Sequence, residues 1–177
     1  MGGTYYASPQ VLKYQDINAS TLIAWLAGPP HNSVLANETD VETIIAAAKA
    51  HDINPLLLIA ITGAEQDFDN THDDTATDVA AIEQNPFNVG GSWQNGGYTL
   101  AESADACANF LAERLSTSPP SGESAIEWIN DPSNTSGGLY ASESDGSPTP
   151  NWWENVSGFF DQMTGWPNIY ASTSTTH

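Results

Sequence analysis

Residues 54–68, NPLLLIAITGAEQDF, constrain the fold more than any other part of the chain. Asn54 suits the N-cap of a helix, and Pro55 suits its first position, where the missing N–H costs nothing. The six residues that follow Pro55 are apolar on every face, which is typical of a helix inside a domain rather than on its surface. We therefore expect the domain to be built around a buried central helix over residues 55–65.

Glu65 lies four residues after Ile61 and eight after Leu57, so the three share one side of this helix. Its carboxylate thus prolongs a buried apolar face, where it loses hydration unless a cation or a hydrogen-bond donor meets it. The nearest cation in the sequence is Lys49. One interpretation is a general acid at the mouth of a cleft, as a glycosidase needs. The other is a carboxylate at a helix end that reaches water.

The charge balance excludes two classes of partner. The 177 residues include 22 Asp and Glu against 3 Lys and Arg, for a net charge of −19. Such a surface repels nucleic acid and anionic membranes, so we expect neither nucleic-acid binding nor membrane insertion. Repulsion among so many like charges opposes the compact state, and molar salt screens this repulsion. The composition therefore favours a halophilic origin over an ordinary acidic protein.

Hydrophobic periodicity predicts a mostly α domain, with a small irregular or β lobe beside the central helix. Thr39 with Glu42, and Thr99 with Glu102, have the spacing of capping boxes. The predicted helices cover residues 19–27, about 41–51, 55–65, 100–115, 124–129 and 152–163.

Two segments lack a helical period. Residues 66–99 are rich in Asp, Asn, Gly and Thr, which predicts irregular structure with short strands around 87–89 and Trp93. A loop of this length inside a domain is usually functional. Residues 130–151 are rich in Ser, Asn, Gly and Pro, and we expect them to stay outside the core.

The chain is predicted to hold one folded unit. We expect an N-terminal arm over residues 1–18, a single domain over 19–166 and a flexible tail over 167–177. No signal peptide is visible at the start of the sequence, and no apolar run has the length of a membrane span.

The single cysteine and the acidic loop are both predicted to have no catalytic or cofactor role. Cys107 falls on the apolar face of the helix over 100–115, which indicates a buried structural thiol. His72 lies within DNTHDD, residues 69–74, whose oxygen-rich spacing lacks the glycine and glutamate of a calcium loop. We therefore favour a solvated loop over a cation site, and predict no metal and no cofactor.

Four motifs follow one another in the order seen in lysozyme-superfamily glucosaminidases. HDINPLLLIAITGAEQD (51–67) resembles the family's helix that ends on a catalytic glutamate, and NPFNV (85–89) resembles its Asn-Pro-Phe segment. GYTLAES (97–103) resembles the aromatic stretch that leads into a helix, and LYASESDGSPTPNWWENVSGFF (139–160) resembles the tyrosine, proline-rich loop and tryptophan helix. Over about residues 19–163 the chain is thus similar to glycoside hydrolase family 73 endo-β-N-acetylglucosaminidases and to soluble lytic transglycosylases.

The resemblance implies a lysozyme-like α+β fold and a set of site residues. Glu65 matches the general acid, and Tyr98 matches a tyrosine across the cleft that supports the sugar or the transition state. Asn85, Phe87 and Asn88 match the strand on the cleft floor. Aromatic and amide side chains suit sugar stacking and hydrogen bonding. The predicted substrate-binding residues are therefore Gln66, Phe68, Asn85, Phe87, Asn88 and Trp93.

Some assignments stay open. Trp93 fits a sugar platform and an aromatic that pins its loop equally well. Gln66 departs from the Ser or Thr that the family has after its glutamate. For a second catalytic carboxylate, no candidate is compelling among Asp73, Asp74, Asp78 and Glu83.

The resemblance implies a hydrolase that cleaves β-1,4-linked N-acetylhexosamine polysaccharide of a cell envelope, with that glycan as its partner. We expect an extracellular or virion-associated protein, and other virion proteins are candidate partners. The alternative is a catalytically inactive lysozyme-like protein with a structural or glycan-binding role, for example in a virion.

Overall fold

Helices make up most of the regular structure of the protein. The structure is a computed structural model that describes residues 6–171. Within that range, strand pairing is limited to three isolated bridges, so the class is mostly α, as predicted. The helices are α1 (Ala19–Ala27), α2 (Glu38–Ala50), α3 (Pro55–Gln66), α4 (Ala76–Gln84), α5 (Leu100–Arg114), α6 (Ala125–Ile129) and α7 (Trp152–Thr164), with short 3-10 turns at Pro9–Leu12, Val89–Gly91 and Trp93–Asn95.

The predicted central helix is confirmed as α3. The Asn54 side chain accepts a hydrogen bond from the Leu56 N–H over 2.9 Å and caps the helix, whose first residue is Pro55. Residues 55–63 are all buried. Helix α3 ends at Gln66, and its C-cap Asp67 adopts a left-handed conformation with φ of 49°. The apolar run therefore places the end of α3, with Glu65, at the boundary between core and surface.

The neighbours of α3 are α2, α5 and α7, with α7 in the most extensive contact. Helix α2 also packs on α5 and α1, while α6 packs on α7. Within residues 6–171 no single helix is long and apolar enough to cross a membrane. The α2–α3 pair, bent by 119° at its break, passes that test only as a pair and by length and composition alone.

The structure corrects the predictions for residues 66–99. Helix α4 lies in this segment, capped by Thr75, and it buries only Val79 and Ile82. These two apolar contacts were too few to give a helical period in a sequence rich in Asp. The predicted strands around 87–89 and Trp93 are wrong, because a turn at residues 86–87 is followed by 3-10 turns at Val89–Gly91 and Trp93–Asn95.

The two predicted capping boxes have different outcomes. Thr99 and Glu102 form theirs at the start of α5, as predicted. The other prediction is wrong, because the N-cap of α2 is Asn37, two residues before Thr39, and its side chain accepts from the Asp40 N–H over 2.9 Å.

The described parts of the predicted arm and tail pack on the domain. Leu12 and Ile17 are buried in the core, and so is Ile169. Ile17 pairs with Tyr170 in an antiparallel bridge, which joins the two ends of the described chain. The folded unit therefore extends beyond the predicted boundaries of 19–166. The rest of the arm and tail, residues 1–5 and 172–177, lies outside the described residues.

A buried arginine holds the polar segment 130–151 against the domain. Arg114 is fully buried, and its guanidinium donates to the backbone carbonyls of Ile129, Asp131 and Asn134 over 2.7–3.0 Å. Five fixed donors suit such a cluster of carbonyls. The prediction that this segment stays outside the core is thus wrong in part, because Asn134 is itself buried.

Candidate functional site

A cleft of about 660 Å³ opens beside the C-terminal end of α3. Its wall combines Ala64 and Glu65 of α3 with residues 88–91, Tyr98, two residues of α5, the 139–142 segment, Thr149 and the start of α7. The buried helix thus places one carboxylate on a concave surface built from six other parts of the chain. Concave surfaces of this kind are the usual place for ligand binding.

Glu65 is held by one donor on each carboxylate oxygen. Asn88 Nδ2 donates to Oε1 over 2.9 Å, and Trp152 Nε1 donates to Oε2 over 2.8 Å. These donors replace part of the water that the carboxylate loses at the end of a buried helix. Since a carboxylate oxygen has two lone pairs, each oxygen keeps one site for a proton or a ligand.

The orientation of the Asn88 amide is fixed by its own backbone surroundings. Asn88 lies in the left-handed region with φ of 56°, which asparagine tolerates better than most residues. Its Oδ1 accepts from the Trp93 N–H over 2.9 Å, so its amino group is left to face Glu65. The 3-10 turn at Trp93 therefore acts on the site through its backbone N–H.

Trp152 is positioned by a stacked aromatic pair. Its ring lies 5.0 Å from that of Tyr140, with 23° between the planes. The Tyr140 hydroxyl donates to the Phe87 carbonyl over 2.7 Å and lies 3.4 Å from the Cys107 sulfur. Cys107 is fully buried, as predicted, and burial raises the pKa of its thiol to about 12. The thiol is therefore protonated and contributes packing rather than a nucleophile.

Tyr98 reaches the cleft across a glycine. An added Cβ on Gly90 would lie 2.8 Å from the Tyr98 hydroxyl, and Gly90 has φ of +72°. Glycine is thus required there both for the backbone conformation and for the close approach of the phenol.

Three of the eight predicted site residues line the cleft, and five do not. Glu65, Asn88 and Tyr98 lie in its wall. The residues outside the lining are Gln66, Phe68, Asn85, Phe87 and Trp93.

Two of these five are core aromatics, which corrects the expectation that they contact a glycan. Phe68 is fully buried and fills the space beside Gly63, where an added Cβ would clash with its ring. Phe87 is also fully buried, and only its carbonyl, bound by Tyr140, connects it to the site.

Asn85 and Trp93 support the cleft from behind. Asn85 is buried, donates to the Val89 carbonyl over 2.9 Å and accepts from the Val89 N–H over 3.1 Å. It thereby closes the turn that carries Asn88. Trp93 is half-buried and contributes its backbone N–H, which agrees better with the alternative in which it pins the loop.

Sequence reasoning missed the roles of Trp152 and Tyr140. The sequence placed Trp152 only in the predicted helix over 152–163. Tyr140 appeared only within the segment 139–160 that resembles the family, without a role of its own. The sequence did contain a signal for Trp152. The Trp152–Trp153 pair directly follows a proline-rich loop, and a helix that follows such a loop begins at the surface.

Comparison of the chain with protein-family models, with curated proteins and with solved structures finds no match in any of the three. The resemblance to glucosaminidases thus stays a prediction based on the four motifs.

The candidates for a second carboxylate lie elsewhere. Within the described chain, Glu65 is the only Asp or Glu of the cleft lining. Asp69 is 1% exposed and neither of its carboxylate oxygens has a hydrogen-bond partner; burial, together with Glu83, Asp74 and Asp40, raises its pKa to about 8. A hydrogen bond with Asp40 and burial raise the pKa of Glu83 to about 7.

Among residues 6–171 no group of three His, Cys, Asp or Glu is placed to hold a metal ion.

Proposed function

We propose that the protein is a lysozyme-like glycoside hydrolase that cleaves β-1,4-linked N-acetylhexosamine polysaccharide of a cell envelope, with Glu65 as its general acid. The observation that supports this most is the placement of Glu65 in an open cleft, with one fixed donor on each oxygen and Tyr98 in the same wall. The rings of Tyr98 and Phe110, both half-buried in the cleft lining, suit the apolar faces of sugar rings.

The chemistry proposed for Glu65 begins with proton transfer to the glycosidic oxygen, which breaks the bond between that oxygen and C1 of the sugar. Because the described cleft lining holds no other Asp or Glu, we propose that the substrate's own acetamido oxygen attacks C1. Water then opens the resulting oxazolinium ion, and the ionised Glu65 takes the proton from that water. Each bond that breaks is thus matched by one that forms, with a single protein carboxylate.

The donors fit this role because they hold the carboxylate in place without consuming its last lone pairs. Tyr98 is proposed to bind the sugar on the opposite side of the scissile bond. The alternative of an inactive structural protein would be favoured by a cleft closed by residues 66–84. None of residues 66–84 belongs to the cleft lining, and this favours the enzyme.

The test is glycan release in molar salt, read by mass spectrometry. Wild type, Glu65→Gln and the control Glu42→Gln, an exposed residue on α2, would be incubated with bacterial murein, chitin and envelope glycans of halophilic hosts. We expect release by wild type and Glu42→Gln, and a loss of about 1,000-fold or more for Glu65→Gln. Equal release by all three proteins would exclude Glu65 as the acid. Binding without release, by wild type shown to be folded, would support the inactive glycan-binding alternative.

A further inference from the structure

Within residues 6–171, no Lys or Arg lines the cleft to offer a ligand a positive charge. The three Lys and Arg of the sequence are Lys13, Lys49 and Arg114, and none of them lines the cleft. Lys13 pairs with Asp52 over 3.4 Å, and Lys49 lies 5.7 Å from the centre of the Tyr14 ring. Arg114 is fully buried and bound to backbone carbonyls, so its donors are already used.

The surroundings of the cleft are negative. A second groove of about 270 Å³ shares Thr149 with the cleft and is lined by Glu127, Asp131 and Glu154. Burial raises the pKa of Glu127, and the charges of Asp131 and Glu154 add to the shift. One carboxylate oxygen of Glu154 is buried without a hydrogen-bond partner. An anion in this region would meet several carboxylates and no free cation.

Carboxylates also follow the rim of the cleft. Ser142 lines the cleft and is exposed, and it pairs with Pro148 in an isolated bridge. The short loop between these two residues carries the exposed Glu143 and Asp145. The carboxylate of Glu65 adds a further negative charge inside the cleft in its ionised form.

We propose that this cleft selects hexosamine chains that are uncharged or partly de-N-acetylated, and rejects glycans that carry sulfate, phosphate or carboxylate groups. This inference rests on the proposed function, because it assumes that the cleft binds a glycan. Its physical reason is that an anionic sugar would lose hydration without gaining a counter-charge, whereas the ammonium group of a de-N-acetylated sugar gains one. Aromatic rings in the lining bind the apolar sugar face in either case.

The test compares three ligands with one backbone: chitin hexasaccharide, its partly de-N-acetylated form and its 6-O-sulfated form. Binding would be measured by calorimetry with Glu65→Gln, which does not cleave, at the lowest salt at which circular dichroism shows the native fold and again at 2 M NaCl. Because this variant lacks the Glu65 charge, it repels anions less than wild type does. A weaker binding of the sulfated form by this variant would therefore come from the other charges around the cleft.

We expect the sulfated form to bind at least about 10-fold more weakly than the neutral one at the lower salt, and the amine form about 3–10-fold more tightly. Both differences should shrink at 2 M NaCl, because interactions between charges then extend over less than about 3 Å. Tight binding of the sulfated form would overturn the charge selection and leave the proposed function intact. No binding of any of the three by folded protein would overturn both.

A matched pair of variants tests the cause of the selection. Ser142→Lys adds a cation to the cleft lining, whereas Ser118→Lys adds the same charge at an exposed position outside it. We expect Ser142→Lys to tighten binding of the sulfated hexasaccharide by about 3–10-fold at the lower salt, and Ser118→Lys to leave it unchanged. Equal effects of the two variants, or none, would show that local charge in the cleft does not set the preference.

Discussion

The indole Nε1 of Trp152 donates a hydrogen bond of 2.8 Å to Oε2 of Glu65. This contact joins the first residue of α7 to the last turn of α3, across 87 positions of sequence. It makes the position of the proposed acid depend on the packing of α7 against the central helix. In the proposed mechanism Trp152 is therefore a positioning residue, because it would act on the reaction through Glu65.

Replacing Trp152 with Phe should lower activity with little effect on the fold. Phenylalanine keeps an aromatic ring next to Tyr140 but removes the donor to Oε2. Loss of one hydrogen bond to a charged group corresponds to a decrease of about 10–100-fold in kcat/KM. We expect the decrease in kcat, with KM nearly unchanged, as measured by steady-state kinetics on the cleaved glycan.

Trp128→Phe is the matched control for this variant. Trp128 is also buried, and its indole donates to the Thr117 carbonyl over 3.0 Å, away from the cleft. Trp128→Phe should lose about as much stability as Trp152→Phe does, and it should keep full activity. Equal losses of activity in both variants would mean that the effect of Trp152 comes from stability rather than from the position of Glu65.

Gly90→Ala should displace Tyr98 from the cleft wall. The new Cβ would lie 2.8 Å from the phenol oxygen, so the side chain has to move. Gly96→Ala is a close control, because Gly96 has φ of +69° but no atom within 4 Å of its added Cβ. Gly90→Ala should lose about 1 kcal/mol in the free energy of unfolding from backbone strain, and Gly96→Ala should lose more, because its ψ of −170° lies in a region that is essentially restricted to glycine. Only Gly90→Ala should weaken glycan binding and cleavage; equal activities would argue against a role for Tyr98.

The sequence could predict the helices whose signals are local. Asn54 with Pro55 sets the start of α3, and Thr99 with Glu102 sets the start of α5, because caps act over three or four residues. The apolar run of α3 has only one way to be buried, so its central position also follows. Glu65 could be placed for the same reason, as the polar residue that ends a buried face.

The rest of the site depends on contacts that no local pattern encodes. Whether an aromatic residue such as Phe68 or Trp152 faces the core or the cleft is decided by packing between distant segments. Phe68 enters the core because three successive left-handed residues, from Asp67 to Asp69, turn the chain back after α3. Helix α4 was missed because its sequence is polar and its stability comes from contacts with its neighbours.

Asp69 should make the protein less stable as the pH rises. Burial raises its pKa from 3.8 to about 8 in the folded state, so the folded protein holds this proton more tightly than the unfolded chain does. The contribution of the protonated Asp69 carboxyl to the free energy of unfolding is therefore fully present below about pH 4. It is lost as the pH rises through about 8. Chemical unfolding at fixed high salt should give a lower free energy of unfolding at pH 8.5 than at pH 5.5.

Asp69→Asn tests this assignment directly. Asparagine has a similar shape, tolerates the local φ of 52° and stays neutral at every pH. We expect the variant to be about 1–3 kcal/mol more stable than wild type at pH 8.5, with a smaller difference at pH 5.5. The control Asp161→Asn removes the same charge from an exposed position on α7. If both variants gave the same gain, net charge rather than the buried carboxylate would be the cause.

The net charge of −19 predicts that salt stabilises the fold. Because 22 carboxylates face only 3 cations, their repulsion opposes the compact state, and salt screens it. The Debye length falls from about 10 Å at 0.1 M to about 3 Å at 1 M, so most of the gain in melting temperature should come below about 1 M NaCl. Thermal unfolding followed by circular dichroism from 0.1 to 3 M NaCl would measure it. A melting temperature that is flat up to 1 M, or rises only above it, would contradict screening and indicate salting-out of apolar surface instead.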